Sequence, residues 1–250
     1  MKFTQIRHAT CIVELAGLKF LVDPILYKKN TLAPVKGGID QNNPLVDISV
    51  NEAVLNNIDI IVLTHLHRDH FDPEIINFFG KDKPVVCCHD YKEKLSELGF
   101  SNLHLVKDKI EIQNIEIILT KGKHGSGVTG LSMGKSYGFI LKPNNNEIVY
   151  LTGDTIWCKG IESSIEDYKP AYIIGFAGGA MIKNTHITLN ENDIKKIIEK
   201  DPSVKIILNH MDAWNHCLLT RKKLKEIIQN NNVYIPDDGE TIIISTGAFQ

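Results

Sequence analysis

The sequence predicts a mixed α/β fold in which stacked β-sheets are covered by helices. Three observations lead there. Apolar runs of strand length recur along the chain, near 11–15, 18–22, 59–63, 84–88, 102–106, 115–120, 137–142, 147–151, 171–175, 204–208 and 241–245. Helix signals fall between them at about 49–57, 73–80, 90–98, 190–200 and 220–230, in an irregular order with hairpins mixed in. That irregularity fits neither a regular doubly wound sheet nor an eight-fold barrel. Third, apolar residues make up 43% of 250 positions, ample for a core at this size.

The elements can be justified in turn. Strands at 11–15 and 18–22 are joined at Gly17, and Asp23-Pro24 stops the second. From Tyr27 to Pro44 the chain is rich in Asn, Lys, Gly and Pro without periodicity, and a loop of that length inside a compact domain is usually functional. Asp72-Pro73-Glu74 reads as a helix start, with Asp72 as cap and Pro73 in the first turn. Asn190 caps a segment, Glu191 to Ile198, whose apolar residues recur at helical spacing. There is no evident linker or repeat, so residues 1–250 are expected to form a single domain.

Composition narrows the function. A net charge of −2 with dispersed basic residues gives no electrostatic case for nucleic acid. The five cysteines, Cys11, Cys87, Cys88, Cys158 and Cys217, are odd in number and contain no Cys-x-x-Cys pair. A disulfide framework is therefore not expected, and a cytoplasmic location is. The opening residues carry no apolar signal core, and no run is long enough for a transmembrane segment.

The chemistry is concentrated in Thr64-His65-Leu66-His67-Arg68-Asp69-His70-Phe71-Asp72. Directly before it, Ile58 to Leu63 reads as a buried strand, so the cluster sits on a strand-to-helix loop. His65 and His67, two apart in extended chain, point the same way, and Asp69 and His70 follow where the chain turns. Imidazole and carboxylate suit zinc and related divalent metals. Four such groups in one loop are not there for packing, because charged groups are rarely buried unpaired.

His-x-His-x-Asp-His after an apolar strand resembles the signature of the metallo-β-lactamase superfamily. Arg7-His8-Ala9-Thr10 and Leu21-Val22-Asp23-Pro24 resemble the branch that includes ascorbate-phosphate lactonases and N-acyl-phosphatidylethanolamine phospholipase D. The stretch from His210 to Arg221 resembles uncharacterised bacterial hydrolases of that branch. The resemblance covers nearly the whole chain and implies an αββα sandwich of two mixed β-sheets flanked by helices. It also implies three later ligands, in the order His, Asp, His. His124 in a Gly-rich loop, Asp154 after the strand ending at Leu151, and His210 after the strand ending at Leu208 match that order. On this assignment His65, His67 and His124 hold one metal, Asp69, His70 and His210 a second, and Asp154 bridges both. The implied cofactors are two divalent ions, zinc first, with manganese or iron accepted by the same ligands. A bridging water that loses its proton near neutral pH would attack a carbonyl or phosphoryl centre. Asp69 and Asp154 are thus the expected catalytic carboxylates, and no Gly-x-Ser-x-Gly elbow competes for the role.

His216, in Asn215-His216-Cys217, is a candidate proton donor or substrate contact. His8, His186, Gly178 and Gly179 are further candidates for substrate contact, the glycines because backbone approaches a ligand closely there. Asp23 is expected to anchor a turn or a hydrogen bond behind a ligand. The expected protein is a dinuclear metal-dependent hydrolase acting on a small-molecule ester, lactone or phosphodiester, with homo-oligomerisation open. The alternatives are a phospholipase-like phosphodiesterase and a non-catalytic regulatory protein of the same fold. A barrel amidohydrolase also uses His-x-His, but the following Asp69-His70 and the strand order fit it poorly. Oxygen-reducing relatives carry a flavin domain after the sandwich, which a chain ending at Gln250 is not expected to hold.

Overall fold

The computed structural model describes residues 1–145 and 147–244. The chain opens with β1 (Lys2–Arg7), β2 (Thr10–Leu15) and β3 (Leu18–Val22), followed by β4 (Ile60–Leu63), α1 (Ile75–Phe79), β5 (Val85–Cys88), α2 (Lys92–Glu97) and β6 (Leu103–Val106). Next come β7 (Lys109–Ile112), β8 (Ile115–Lys121), α3 (Gly127–Met133), β9 (Tyr137–Pro143), β10 (Val149–Leu151), α4 (Lys159–Tyr168) and β11 (Tyr172–Phe176). A short hairpin of β12 (Met181–Ile182) and β13 (Thr185–His186) precedes α5 (Glu191–Lys200), β14 (Lys205–Asn209), α6 (Arg221–Ile227), β15 (Val233–Tyr234) and β16 (Thr241–Ile243).

Two seven-stranded mixed sheets result, in the orders β16-β1-β2-β3-β4-β5-β6 and β15-β14-β11-β10-β9-β8-β7. The pleat sorts their side chains into three apolar layers. Val22, Val62 and Val86 of the first sheet face Ile117, Phe139, Leu141 and Ile174 of the second, forming the core between the sheets. Their neighbours Leu21, Ile61, Leu63 and Val85 point outward and pack with Ile75 of α1 and Leu95 of α2. On the far side Ile140, Ile173, Ile206 and Leu208 meet Ile161 and Ile165 of α4, Ile194 and Ile197 of α5 and Leu224 of α6. The order is helix, sheet, sheet, helix, as expected.

The elements depart from expectation where local polar groups intervene. The segment 49–57 forms only a 3₁₀ turn, Glu52–Leu55, begun by the Asn51 side chain accepting from Ala53 N–H. Helix α1 starts at Ile75, because the Asp72 carboxylate accepts from the Glu74 and Leu26 N–H groups and holds 72–74 as a turn. Helix α4 was not expected, although Ile161, Ile165 and Tyr168 make an apolar row at helical spacing. Its Ser and Gly content conceals that row. Helix α3, with two glycines and no apolar stripe, carries no such sequence signal. Strands β1, β7, β12, β13 and β15 were also missed, most of them short and at sheet edges or in the hairpin. The expected strand 241–245 is seen over Thr241–Ile243; residue 245 lies outside the described residues.

The topology also delivers the candidate ligands to one edge. Strands β10, β11 and β14 run parallel to one another, and β8 shares their direction through antiparallel β9. The loops after β8, β10 and β14 therefore leave from the same end of the second sheet, at the carboxyl ends of the strands, where α/β sheets place ligands. The first sheet meets this edge through the turn between β1 and β2: His210 N–H donates to His8 O at 3.0 Å and Asn209 Nδ2 to Ala9 O at 3.4 Å.

Helix α5 offers a test of the scaffold alone. The Asn190 side chain accepts from both Asn192 and Asp193 N–H. Asn190→Ala should lower unfolding free energy by about 1 kcal/mol in urea titration, with metal content unchanged.

Candidate metal centre

The loop after β4 is built around a carboxylate from β3. Asp23 is wholly buried. It accepts from Thr64 N–H at 2.8 Å, from the Thr64 hydroxyl at 2.6 Å and from His70 Nδ1–H at 2.8 Å. Those bonds set two imidazole tautomers. His70 must protonate Nδ1, so Nε2 presents a lone pair. The Thr64 hydroxyl spends its one proton on Asp23, so His65 Nδ1, 3.1 Å away, donates to that oxygen and its Nε2 is likewise a lone pair. His124 follows suit, its Nδ1 donating to Ile187 O at 2.7 Å. Such second partners are the ordinary means by which proteins aim imidazoles at metals.

The acceptor atoms converge in two groups. One ligand atom from each of His65, His67 and His124 lies within 4.8 Å of the others, and the same holds for His8, Asp69, His70 and His210. His124 Nε2 is 3.3 Å from His67 Nδ1, and His70 Nε2 is 2.9 Å from His210 Nε2. Asp154 stands between the groups: Oδ1 is 3.3 Å from His210 Nε2, while Oδ2 is 3.3, 3.6 and 3.8 Å from the Nε2 atoms of His70, His124 and His65. A third combination, Asp23 with His65 and His70, also falls within 4.8 Å. There Asp23 is already engaged by the proton on His70, which makes it a support rather than a ligand.

The electrostatics suit a cation. Burial works to raise the Asp69 and Asp154 carboxyls, yet the surrounding imidazoles, His70 for Asp69 and His210 for Asp154 foremost, hold both well below the usual carboxylate range. Burial pushes His65, His67 and His210 down, keeping them neutral. Burial acts against a charge on His70 as well, but Asp154, Asp69 and Asp23 together raise it. A position where three carboxylates favour a proton favours any cation. The residues also pass a test of fit: His65 Nε2 and Asp154 Oδ1 are buried and have no hydrogen-bond partner in the chain. Buried polar atoms are rarely left so without a ligand to meet them.

Tight backbone delivers these groups. Gly153 has φ +63°, and a Cβ there would lie 2.1 Å from Tyr137 O, so only glycine permits the turn that presents Asp154. His8, Asp23 and His210 hold φ of 55°, 41° and 69°, left-handed values that cluster at functional sites.

The remaining candidates divide. His8 and His216 are buried, each with Nε2 at 3.6 Å from Asp69 Oδ2. His186 is exposed on β13, next to the residue that receives His124 Nδ1. Gly178 and Gly179 stand behind the site: a Cβ on Gly178 would meet His210 O at 2.2 Å, and one on Gly179 would meet the Leu219 side chain at 2.9 Å. Sequence reasoning missed Thr64, whose position directly before His65 was the available signal. It also missed Asn43, which bonds Asn215 across 172 residues and left no local mark.

Geometry of this kind, a two-sheet sandwich with histidines and carboxylates gathered at one edge, defines a metallo-hydrolase. The comparisons agree. A model of the β-lactamase superfamily domain matches residues 19–211. The UPF0173 protein YddR of Bacillus subtilis is 33% identical over 96% of this chain and 99% of its own. A possible metal-dependent hydrolase from Veillonella parvula superposes with a TM-score of 0.92 at 32% identity, covering 98% of this chain and 99% of that one. Isothiocyanate hydrolase from Delia radicum gut bacteria superposes equally, TM-score 0.92 at 31% identity, over 98% of this chain and 100% of that one. The chain belongs to the β-lactamase superfamily, as a metal-dependent hydrolase.

Asp23→Asn should preserve the fold but weaken metal binding about 10- to 100-fold, the usual effect of losing an orienting partner. Competition with a chromophoric chelator would measure it; unchanged affinity would show that Asp23 orients nothing.

Proposed function

We infer that the protein hydrolyses a small electrophilic substrate at a pair of divalent ions, zinc first among them. His65 Nε2, His67 Nδ1 and His124 Nε2 would hold one ion, Asp69, His70 Nε2 and His210 Nε2 the other, with Asp154 between. The observation that carries this reading is Asp154: its two oxygens face different imidazole sets at 3.3–3.8 Å. When bound, such a pair supplies an acidified water and a Lewis acid for the oxygen or sulfur on which charge develops.

The chain's own groups do the rest. The imidazoles fix the geometry, and Phe176 and Trp214, both fully buried, back the site and keep bulk water from it. His216 stands at 3.6 Å from Asp69 with Nδ1 buried and unpartnered, placed to touch a substrate or deliver a proton to a leaving group. The substrate class is a small molecule with an exposed carbonyl-like carbon: an ester, a lactone or an isothiocyanate. The likeness to an isothiocyanate hydrolase at 31% identity supports the last. Adding water across its C=N bond and releasing the amine leaves carbonyl sulfide, which balances without a further reactant. Arg7, the buried cation beside His8, spends its Nη groups on the carbonyls of Val46, Ile25 and Tyr27, so those donors are not free for a phosphate. A phosphodiesterase is therefore the second choice. Free thiols at all five cysteines support a cytoplasmic setting, and no helix among the described residues is long and apolar enough to cross a membrane.

The segment 27–44 lines the approach on this reading. Arg68, between His67 and Asp69, donates to Ala33 O at 2.6 Å. Asn215, next to His216, accepts from Val35 N–H and Asn43 Nδ2 and donates to the Val35 and Ile39 carbonyls. Both ends of the site thus touch it.

Reconstituted protein should hold about two metals per chain by mass spectrometry; a firm value of one, unchanged in Asp69→Ala, would sink the paired site. Asp69→Ala and Asp154→Ala should reduce hydrolysis of phenethyl isothiocyanate or a γ-lactone to background while circular dichroism is preserved. Asn215→Ala should shift KM and substrate preference severalfold with metal content intact, and His216→Ala should lower kcat more than metal affinity. Kinetics unmoved across several substrates would remove both residues from the approach.

A further inference from the structure

We propose that His8 is a further ligand to the ion held by Asp69, His70 and His210, so that this position is closed by protein and the His65–His67–His124 position is the one open to substrate. The inference rests on the two-metal reading above and goes beyond it, since the residue signature that assigns the other ligands does not include His8.

Several observations converge on His8. One of its ring nitrogens groups with Asp69, His70 and His210 ligand atoms within 4.8 Å, all four residues buried. Both ring nitrogens are buried without a hydrogen-bond partner in the chain. A neutral imidazole carries one N–H and one lone pair, and burying both unsatisfied is costly unless one of them meets a ligand. At 3.6 Å, Asp69 Oδ2 is too far for a hydrogen bond, yet it is at the spacing of two atoms sharing one ion. The ring is also fixed in place. It lies 3.8 Å from the His210 ring and stacks on Trp214 at 5.2 Å. Its backbone is held at φ 55° by two bonds to its carbonyl, from Gln5 Nε2 at 2.8 Å and His210 N–H at 3.0 Å. A left-handed histidine bonded to a second left-handed histidine, His210, is strain retained for a purpose. His216 makes the useful contrast. It is equally near Asp69, but it joins none of the ligand groups found among the described residues.

The two positions then differ in kind. Asp69, His70, His210 and His8, with Asp154, put one more protein group at this position than the other has, and leave less room there for water or substrate. The other position has three imidazoles and Asp154, and it reaches the surface at His67, the one half-buried member of its group. Substrate would meet the protein there.

The experiment follows metal loss from zinc-loaded protein under dipicolinate, with zinc per chain read by mass spectrometry. Wild type should lose one zinc quickly and retain the second. His8→Ala should lose both together, the retained zinc leaving at least about tenfold faster, while His216→Ala behaves as wild type. If His8→Ala does not fold, wild type loaded with ¹¹³Cd answers directly: His8 Nε2 should show cadmium coupling in a ¹⁵N–¹H imidazole spectrum. Zinc retention in His8→Ala equal to wild type, or no coupling at His8 in the doubly loaded protein, overturns the role of His8 alone. A wild type that saturates at one metal overturns the two-metal reading and the inference with it.

Discussion

The buried carboxylate of Asp23 is the constraint on which the site depends. It sits at the end of β3 in a left-handed conformation and accepts three hydrogen bonds from Thr64 and His70. Through His70 it fixes one tautomer directly. Through the Thr64 hydroxyl it fixes the tautomer of His65, although its own hydrogen bonds go to Thr64 and His70. A single carboxylate thus aims two lone pairs into the same space and joins the loop after β4 to the hairpin strand beside it.

The buried charges follow from that arrangement. Carboxylates at 23, 69 and 154 surround His70, and burial removes the water that would screen them. Packed imidazoles and acids in such number would destabilise a chain that gained nothing from a cation, since a partly satisfied polar network is worse than an apolar core. The wide apolar layers on both faces of both sheets supply the stability that lets the edge hold so polar a cluster. A fourth, smaller layer of Ile25, Ile187, Trp214 and Cys217, with Leu32 and Val35 packed against it, fastens the 27–44 segment beside the same edge.

Much of this was legible in the sequence because the informative signals were local. The order of His65, His67, Asp69 and His70 could be read directly, since neighbours in a tight loop stay neighbours. Strands β4, β5, β8, β11 and β14 were visible as apolar runs, and α5 by its Asn190 cap. Helix α4 has only three apolar positions set among Ser, Gly and charged residues, and α3 has glycines and no apolar pattern, so neither stands out in the sequence. Where polar side chains bonded nearby backbone, as Asp72 and Asn51 do, the helix starts moved or shortened.

The sequence by itself determined the family, the sandwich class and which residue types gather for metal chemistry, because periodicity and short motifs depend on near neighbours. The tertiary structure alone decided how those residues are aimed. Asp23 and His70 lie 47 positions apart, His70 and His210 lie 140 apart, and Asn43 and Asn215 lie 172 apart. Only the run of strands to one edge, and the meeting of the β1–β2 turn with the end of β14, brings His8 to His210. Hydrogen-bond direction, burial and tautomer are properties of atoms in contact, and contact across such separations is set by how the sheets stack.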